Sequence, residues 1–283
     1  MKLAVIIDGS GFIYRAYYGY PQMLSPTGQP ANAVYGVCYM LFALLSNFQY
    51  NDCVIALDRG RRTFRSDLYA EYKANRPTAP DDLKAQFSAI REAYDSFGLP
   101  VIDRDGYEAD DIIASCVDHY LDNGFENVCI VSSDKDLMQL VSDNVYIYDP
   151  LKKKKIDGSG VYEKFGVYPN QIIDFLALLG DAADNVPGVD GIGIKTAAKL
   201  LNQYETIEGI YENIDTIKSS KIRESLKRNK DRLHLARKLV TLEHNTGIKD
   251  ISDFNNNKIC CSSLRCFCER YGFSSLLKKI AIQ

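Results

Sequence analysis

The chain has 283 residues, 46% of them apolar, enough to bury a large core in one domain or two, which excludes a disordered or fibrous polypeptide. Only five apolar residues in a row precede Asp8, too few for a signal peptide or a membrane span, so a cytoplasmic protein with no membrane partner is expected. The eight cysteines are scattered and read as reduced thiols, and a net charge of −3 conceals acids and bases gathered into separate clusters.

In chain order, Leu3–Ile7 reads as a strand that delivers Asp8, and Ser10, lacking a base partner, reads as a local hydrogen-bonding group. A helix over Ala33–Phe48 leads to a second strand, Cys53–Leu57, which ends on Asp58. Residues 59–78 read as an exposed, mobile excursion carrying Arg59, Arg61, Arg62, Arg65, Lys73 and Arg76. Lys73 and Arg76 are spaced i, i+3 on an expected helix and adjoin Tyr69 and Tyr72. That combination suits nucleic-acid backbone contact with base stacking, and it also suits a solvated helix face.

Helices follow over Asp82–Phe97 and Ala109–Asp122. Glu108, Asp110 and Asp111 open the second, where carboxylates can simply complement the helix dipole. A third strand, Val128–Ser132, delivers Asp134 and Asp136, and a fourth, Val145–Tyr148, precedes Lys152–Lys155, which reads as a solvated turn. Strands alternating with helices predict a parallel sheet, and its carboxyl edge is where loop-borne acids meet.

Beyond Pro169 the pattern turns helical, with Asn170–Leu179, Lys195–Tyr204 and Leu233–Glu243. Asp181 and Asp184 share one face if their segment is helical, an arrangement that also occurs on solvated faces. Gly188, Gly191 and Gly193 lead into Lys195 without the glycine that a P-loop needs before its lysine. The turn reads either as a phosphate-binding helix N-terminus or as a simple link between packed helices. A second basic stretch runs from Lys218 to Arg232. Cys260, Cys261, Cys266 and Cys268 interrupt a helical pattern of Leu264, Phe267 and Tyr271 and lack zinc spacing, and His119, His234 and His244 follow no ligand pattern.

Like charges about 5 Å apart at an effective dielectric near 20 repel by roughly 3 kcal/mol per pair, so converging acids must protonate or bind cations. With carboxylates as donors, Mg²⁺ is expected first and Mn²⁺ as its substitute, and two such ions suit phosphodiester hydrolysis.

Long motifs in order, namely DGSGFIYRAYYGYP, TFRSDLYAEYKANRP, GYEADDIIA, SSDKDLMQLV, FLALLGDAADNVPGVDGIGIKTAAKLL and LRCFCERYGFSSLL, make the chain resemble the 5′ nuclease domain of bacterial DNA polymerase I and its relatives, the flap endonucleases and phage 5′ exonucleases. The resemblance implies an α/β fold, a PIN-like mainly parallel sheet flanked by helices. It implies a catalytic part over 1–168 with a helical arch near 69–95, and a helical DNA-binding part over 169–283 with a helix-hairpin-helix (helix-3-turn-helix) near 181–204. Asp8, Asp58, Glu108 and Asp110 would hold one metal and Asp134, Asp136 and Asp181 the second, with Asp111 and Asp184 supporting through water. Lys73 and Arg76 would steady the scissile phosphate, Tyr72 would join them in the arch, and Arg15 would contact DNA near the cut. Gly188, Gly191, Gly193 and Lys195 would grip duplex DNA, often with a potassium ion.

The implied activity is 5′→3′ exonuclease and flap endonuclease cleavage of DNA with 5′ flaps, nicks or 5′ ends, including RNA primers on DNA, in replication and repair. A nucleoid-associated monomer is expected, working beside a polymerase in cis or in trans, since the chain stops where polymerase I would continue. Leu57 departs from an expected phenylalanine. A DNA binder without turnover would have lost acids, and all nine are present.

Overall fold

The computed structural model describes residues 2–248 and 261–281; Cys260 lies outside them. Six strands form one sheet in the order β3-β2-β1-β4-β5-β6. They are β1 (Leu3–Asp8), β2 (Asp52–Ala56), β3 (Val101–Ile102), β4 (Asn127–Val131), β5 (Val145–Asp149) and β6 (Lys154–Ile156). All pairs are parallel except β5 with β6. The helices between β1 and β4 are α1 (Gly9–Gly19), α2 (Asn32–Leu45), α3 (Phe64–Leu68), α4 (Asp81–Lys84), α5 (Phe87–Ser96) and α6 (Ala109–Asp122). After the sheet come α7 (Gly158–Phe165), α8 (Ile172–Leu179), α9 (Ile194–Tyr204), α10 (Ile207–Glu212), α11 (Ser220–Arg228), α12 (Lys230–Val240), α13 (Cys261–Arg270) and α14 (Ser274–Ile280).

The near-continuous apolar strands follow from burial on both faces. Side chains alternate along a strand, so Ala4 and Ile6 of β1 join one core with Val54, Ile130, α6 and α8–α12, while Val5 and Ile7 join the other with Ile55, Val131, α1, α2 and α5. The C-terminal helices α13 and α14 belong to this second core through Leu264, Phe267, Phe273 and Leu276. They therefore pack beside α2 and α5, not with α8–α12. Among the described residues no helix is long and apolar enough to cross a membrane.

Several elements differ from expectation. The segment Gly9–Gly19 is helical, and Gly9 admits it because a Cβ there would sit 2.5 Å from Ile55 Cγ2. The helix expected over Asp82–Phe97 is two, α4 and α5, parted at Gln86. That side chain is wholly buried, and its Oε1 accepts Ala33 N–H at 2.8 Å and Val34 N–H at 3.3 Å, supplying α2 with the cap that Ala31 cannot. Lys152–Lys155 is a turn only as far as Lys153, and Lys154 enters β6.

Candidate active site

The parallel strands deliver acids to one edge. Asp8 ends β1 and caps α1, accepting Gly11 N–H at 2.7 Å and the Ser132 hydroxyl at 2.8 Å. Asp58 follows β2, and its Oδ1 accepts Ala109 N–H at 2.8 Å at the start of α6. Ser10 Oγ accepts the Asp58 N–H at 3.0 Å, the local role its sequence context suggested. Beyond β4, Asp134 Oδ1 accepts Asp136 N–H at 2.9 Å and opens the short turn 136–140. Asp181 and Asp184 arrive from the loop after α8, where Asp181 Oδ1 accepts Ala183 N–H at 2.7 Å.

Burial and mutual repulsion show in the proton affinities. Burial, then the Asp134 and Asp58 charges, lifts the Asp8 carboxyl to about 6. Burial and neighbouring Asp134 raise Asp136 to about 6, and burial with Asp134, Asp8 and Asp136 holds Asp110 well above the carboxylate range. Asp181 runs the other way, because the Lys135 ammonium and backbone N–H groups outweigh its burial.

Basic side chains answer part of this charge. Lys135 Nζ reaches Asp181 at 2.5 Å and Asp136 at 3.2 Å. Lys73 Nζ lies 2.6 Å from Glu108 and 3.8 Å from Asp184, and Arg76 pairs with Asp184. One carboxylate oxygen each from Asp136, Asp181 and Asp184 lie within 4.8 Å of one another. An all-carboxylate donor set whose repulsion is only partly relieved fits hard divalent cations.

Asp111 is placed differently from the other eight acids. It is wholly buried, and both oxygens are saturated: Oδ1 by Arg65 at 2.6 Å and Glu243 N–H at 2.9 Å, Oδ2 by Arg65 at 2.7 Å and Glu108 N–H at 3.0 Å. With four acceptor positions filled, it has none for a metal-bound water and serves as the counter-ion of Arg65.

The arch residues also differ from the sequence reading. Residues 70–75 form turns, so Lys73 and Arg76 stand on no helix. Lys73 has φ 53°, held there by its N–H to the Asp184 carbonyl at 2.9 Å. Tyr72 is 8% exposed and donates its hydroxyl to Glu108 Oε2 at 2.9 Å, so its ring is unavailable for stacking on bases. Arg15 is half-buried and donates to Ser133 Oγ at 2.8 Å, beside the Asp134 turn.

In the glycine turn, a Cβ on Gly188 would strike the Leu179 carbonyl and lie 2.7 Å from Gly180 N, so close backbone packing demands glycine there. Gly191 has φ +80° and, like Gly193, faces open space. Lys195 is exposed in the first turn of α9. Asp190 in the same turn is braced by Arg228 at 3.2 Å and Arg232 at 3.9 Å, which ties the second basic stretch to the turn.

Two residues at the site escaped the sequence reading. Lys135 was signalled only by standing between two acids. Arg65 had no periodic signal, being one more cation in a basic stretch, yet it is 1% exposed and pairs with Glu108 and Asp111. The cysteines carry no ligand set among the described residues: Cys261 and Cys266 are exposed, and Cys268 faces the core of α13.

The 5′-3′ exonuclease N-terminal resolvase-like domain model matches residues 3–166, and the 5′-3′ exonuclease C-terminal SAM fold model matches 167–260. A 5′-3′ exonuclease of Aquifex aeolicus is 42% identical over 86% of this chain and 82% of its own length. DNA polymerase I of Rhizobium leguminosarum is 46% identical over 84% of this chain, which spans only 24% of that relative. Among solved structures, bacteriophage T5 5′-exonuclease with bound divalent zinc superimposes with a TM-score of 0.70 at 21% identity, covering 95% of this chain and 97% of that one, a likeness of fold. The two family models together span most of the chain, and the chain belongs to the 5′-3′ exonuclease family.

Proposed function

We propose that the chain is a structure-specific 5′→3′ exonuclease and flap endonuclease that hydrolyses DNA phosphodiesters near 5′ ends and single-strand to double-strand junctions. The observation that carries this reading is the meeting of eight carboxylates from distant segments at one sheet edge, with Asp8 and Asp136 each lifted to about 6 by burial and the charge of Asp134. Asp8, Asp58, Glu108 and Asp110 would hold one Mg²⁺ and Asp134, Asp136 and Asp181 the other, with Asp184 supporting through water and Mn²⁺ as substitute. When bound, two such ions activate water and stabilise the leaving oxygen of an in-line displacement.

The chain's own residues would place the substrate. Lys73 and Arg76, drawn onto Glu108 and Asp184 here, would turn toward the scissile phosphate once those carboxylates are neutralised. Arg15 would contact the strand near the cut. Gly188–Lys195 would hold the duplex backbone at the N-terminus of α9, with a potassium ion at the turn. We assign catalysis to 1–168 and duplex binding to 169–283, in a cytoplasmic, nucleoid-associated monomer that removes primers beside a polymerase in cis or in trans.

The test is cleavage of a 5′-labelled flap in Mg²⁺, with EDTA, Asp134→Ala and Asp181→Ala as controls. The parent should cut and all three controls should not; variants as fast as the parent would overturn the two-metal assignment. Matched DNA and RNA flaps would define the substrate.

A further inference from the structure

Arg65 leads the wholly buried side chains in size, and the mechanism above leaves it without a role. Its guanidinium uses every donor it has. Nε gives to the Leu239 carbonyl at 2.8 Å, Nη1 to Asp111 Oδ2 at 2.7 Å and Glu108 Oε2 at 3.2 Å, and Nη2 to Asp111 Oδ1 at 2.6 Å and the Thr241 carbonyl at 2.9 Å. The Phe64 ring lies 4.5 Å from the guanidinium carbon. A planar fork of five donors can satisfy this cage, and a lysine cannot.

The two carbonyls come from the end of α12, which stops at Val240 and leaves its last carbonyls without helical partners. The same end is held from a second side by Gln139, whose Nε2 gives to the Val240 carbonyl at 3.0 Å and whose Oε1 accepts Leu242 N–H at 3.2 Å. Gln139 lies in the turn that begins with Asp136. The end of α12 thus touches both sides of the carboxylate cluster, through Arg65 to Glu108 and through Gln139 to the Asp136 turn.

We propose that Arg65 is a positioning residue, locking the Glu108 carboxylate to the end of α12 so that the seating of the helical region sets the geometry offered to the metal. This rests on Glu108 being a metal ligand, as proposed above. A surrounding residue of this kind typically changes metal affinity 10- to 100-fold. Coupling is reciprocal, so metal binding must also steady the end of α12.

The experiment uses the full chain and three readouts: Mn²⁺ binding by calorimetry without DNA, amide exchange at residues 239–243 with and without Mn²⁺, and single-turnover flap cleavage. In the parent, Mn²⁺ should slow exchange at 239–243. Arg65→Lys should keep flap affinity in EDTA within about threefold, weaken Mn²⁺ binding at least about tenfold, lower the cleavage rate with little change in KM, and lose the Mn²⁺ effect on exchange. If Arg65→Lys does not fold, the double variant Arg65→Met with Asp111→Asn removes both buried charges and should show the same losses. Parent-like Mn²⁺ affinity in whichever variant folds overturns the proposal, as does a rate loss that merely follows a lowered melting temperature. A parent that neither binds Mn²⁺ nor cuts flaps defeats the functional reading itself and takes this one with it.

Discussion

Replacing Asp8 with asparagine should make the metal-free chain more stable at neutral pH. Burial beside Asp134 and Asp58 lifts this carboxyl from 3.8 to about 6, a shift that corresponds to ~3 kcal/mol. The folded chain favours the protonated form. That preference supports the fold fully below about pH 4 and is lost as pH rises through about 6. Asparagine stays neutral throughout, and its carbonyl can still accept the Gly11 N–H. The variant and parent should therefore melt together near pH 4 in the absence of divalent ions, while near pH 7.5 the variant should gain ~3 kcal/mol, or about 6–12 °C. Calorimetry in EDTA at the two pH values measures this directly. Excess Mg²⁺ should reverse the order near pH 7.5, because only the parent offers the ion a full charge at this position. A variant that melts no higher than the parent near pH 7.5, or that has the same advantage near pH 4, would refute the claim that buried like charge strains this edge.

Lys195→Ala should weaken duplex binding and reduce the salt slope of log K by about 1, measured by fluorescence anisotropy in EDTA; an unchanged slope would remove Lys195 from the interface. Gly188→Ala should cost about 1–3 kcal/mol in urea unfolding, since the added Cβ meets backbone on two sides, and a smaller loss would mean that the turn can open. Tyr72→Phe should destabilise the fold by about 1.5–3 kcal/mol through its lost hydrogen bond to the Glu108 carboxylate, with flap affinity unchanged. A parent-like melting temperature in that variant would return Tyr72 to the role of a stacking surface.

What the sequence disclosed follows physical lines. The four strands expected from apolar runs are present, because strands buried on both faces have no alternative but continuous hydrophobicity. Asp8, Asp58 and Asp134 could be placed at one edge from parallel topology alone. Local pattern failed where tertiary contacts decide. Asp111 looks like its neighbour Asp110 in sequence, yet helical geometry turns it inward to Arg65, and only the fold shows which of two adjacent acids meets a cation. Tyr72 and Lys73 suggested an exposed basic helix, but Glu108 and Asp184 draw that segment into a turn. Gly9–Gly19 hid its helix behind glycines and tyrosines whose propensity is weak, and packing against α2 and β2 overrides that. The return of α13 and α14 to the first half of the molecule is a long-range docking that no local period encodes.

The sheet order also governs when the acidic edge can exist during synthesis. Asp8 emerges with the first strand of the sheet, whereas Asp181 and Asp184 come from beyond its last strand. At about 5–20 residues per second, a ribosome needs roughly 9–35 s to travel from one to the other. Through that interval the nascent chain carries an incomplete set of carboxylates. A complete site therefore cannot form before Asp181 and Asp184 have been made.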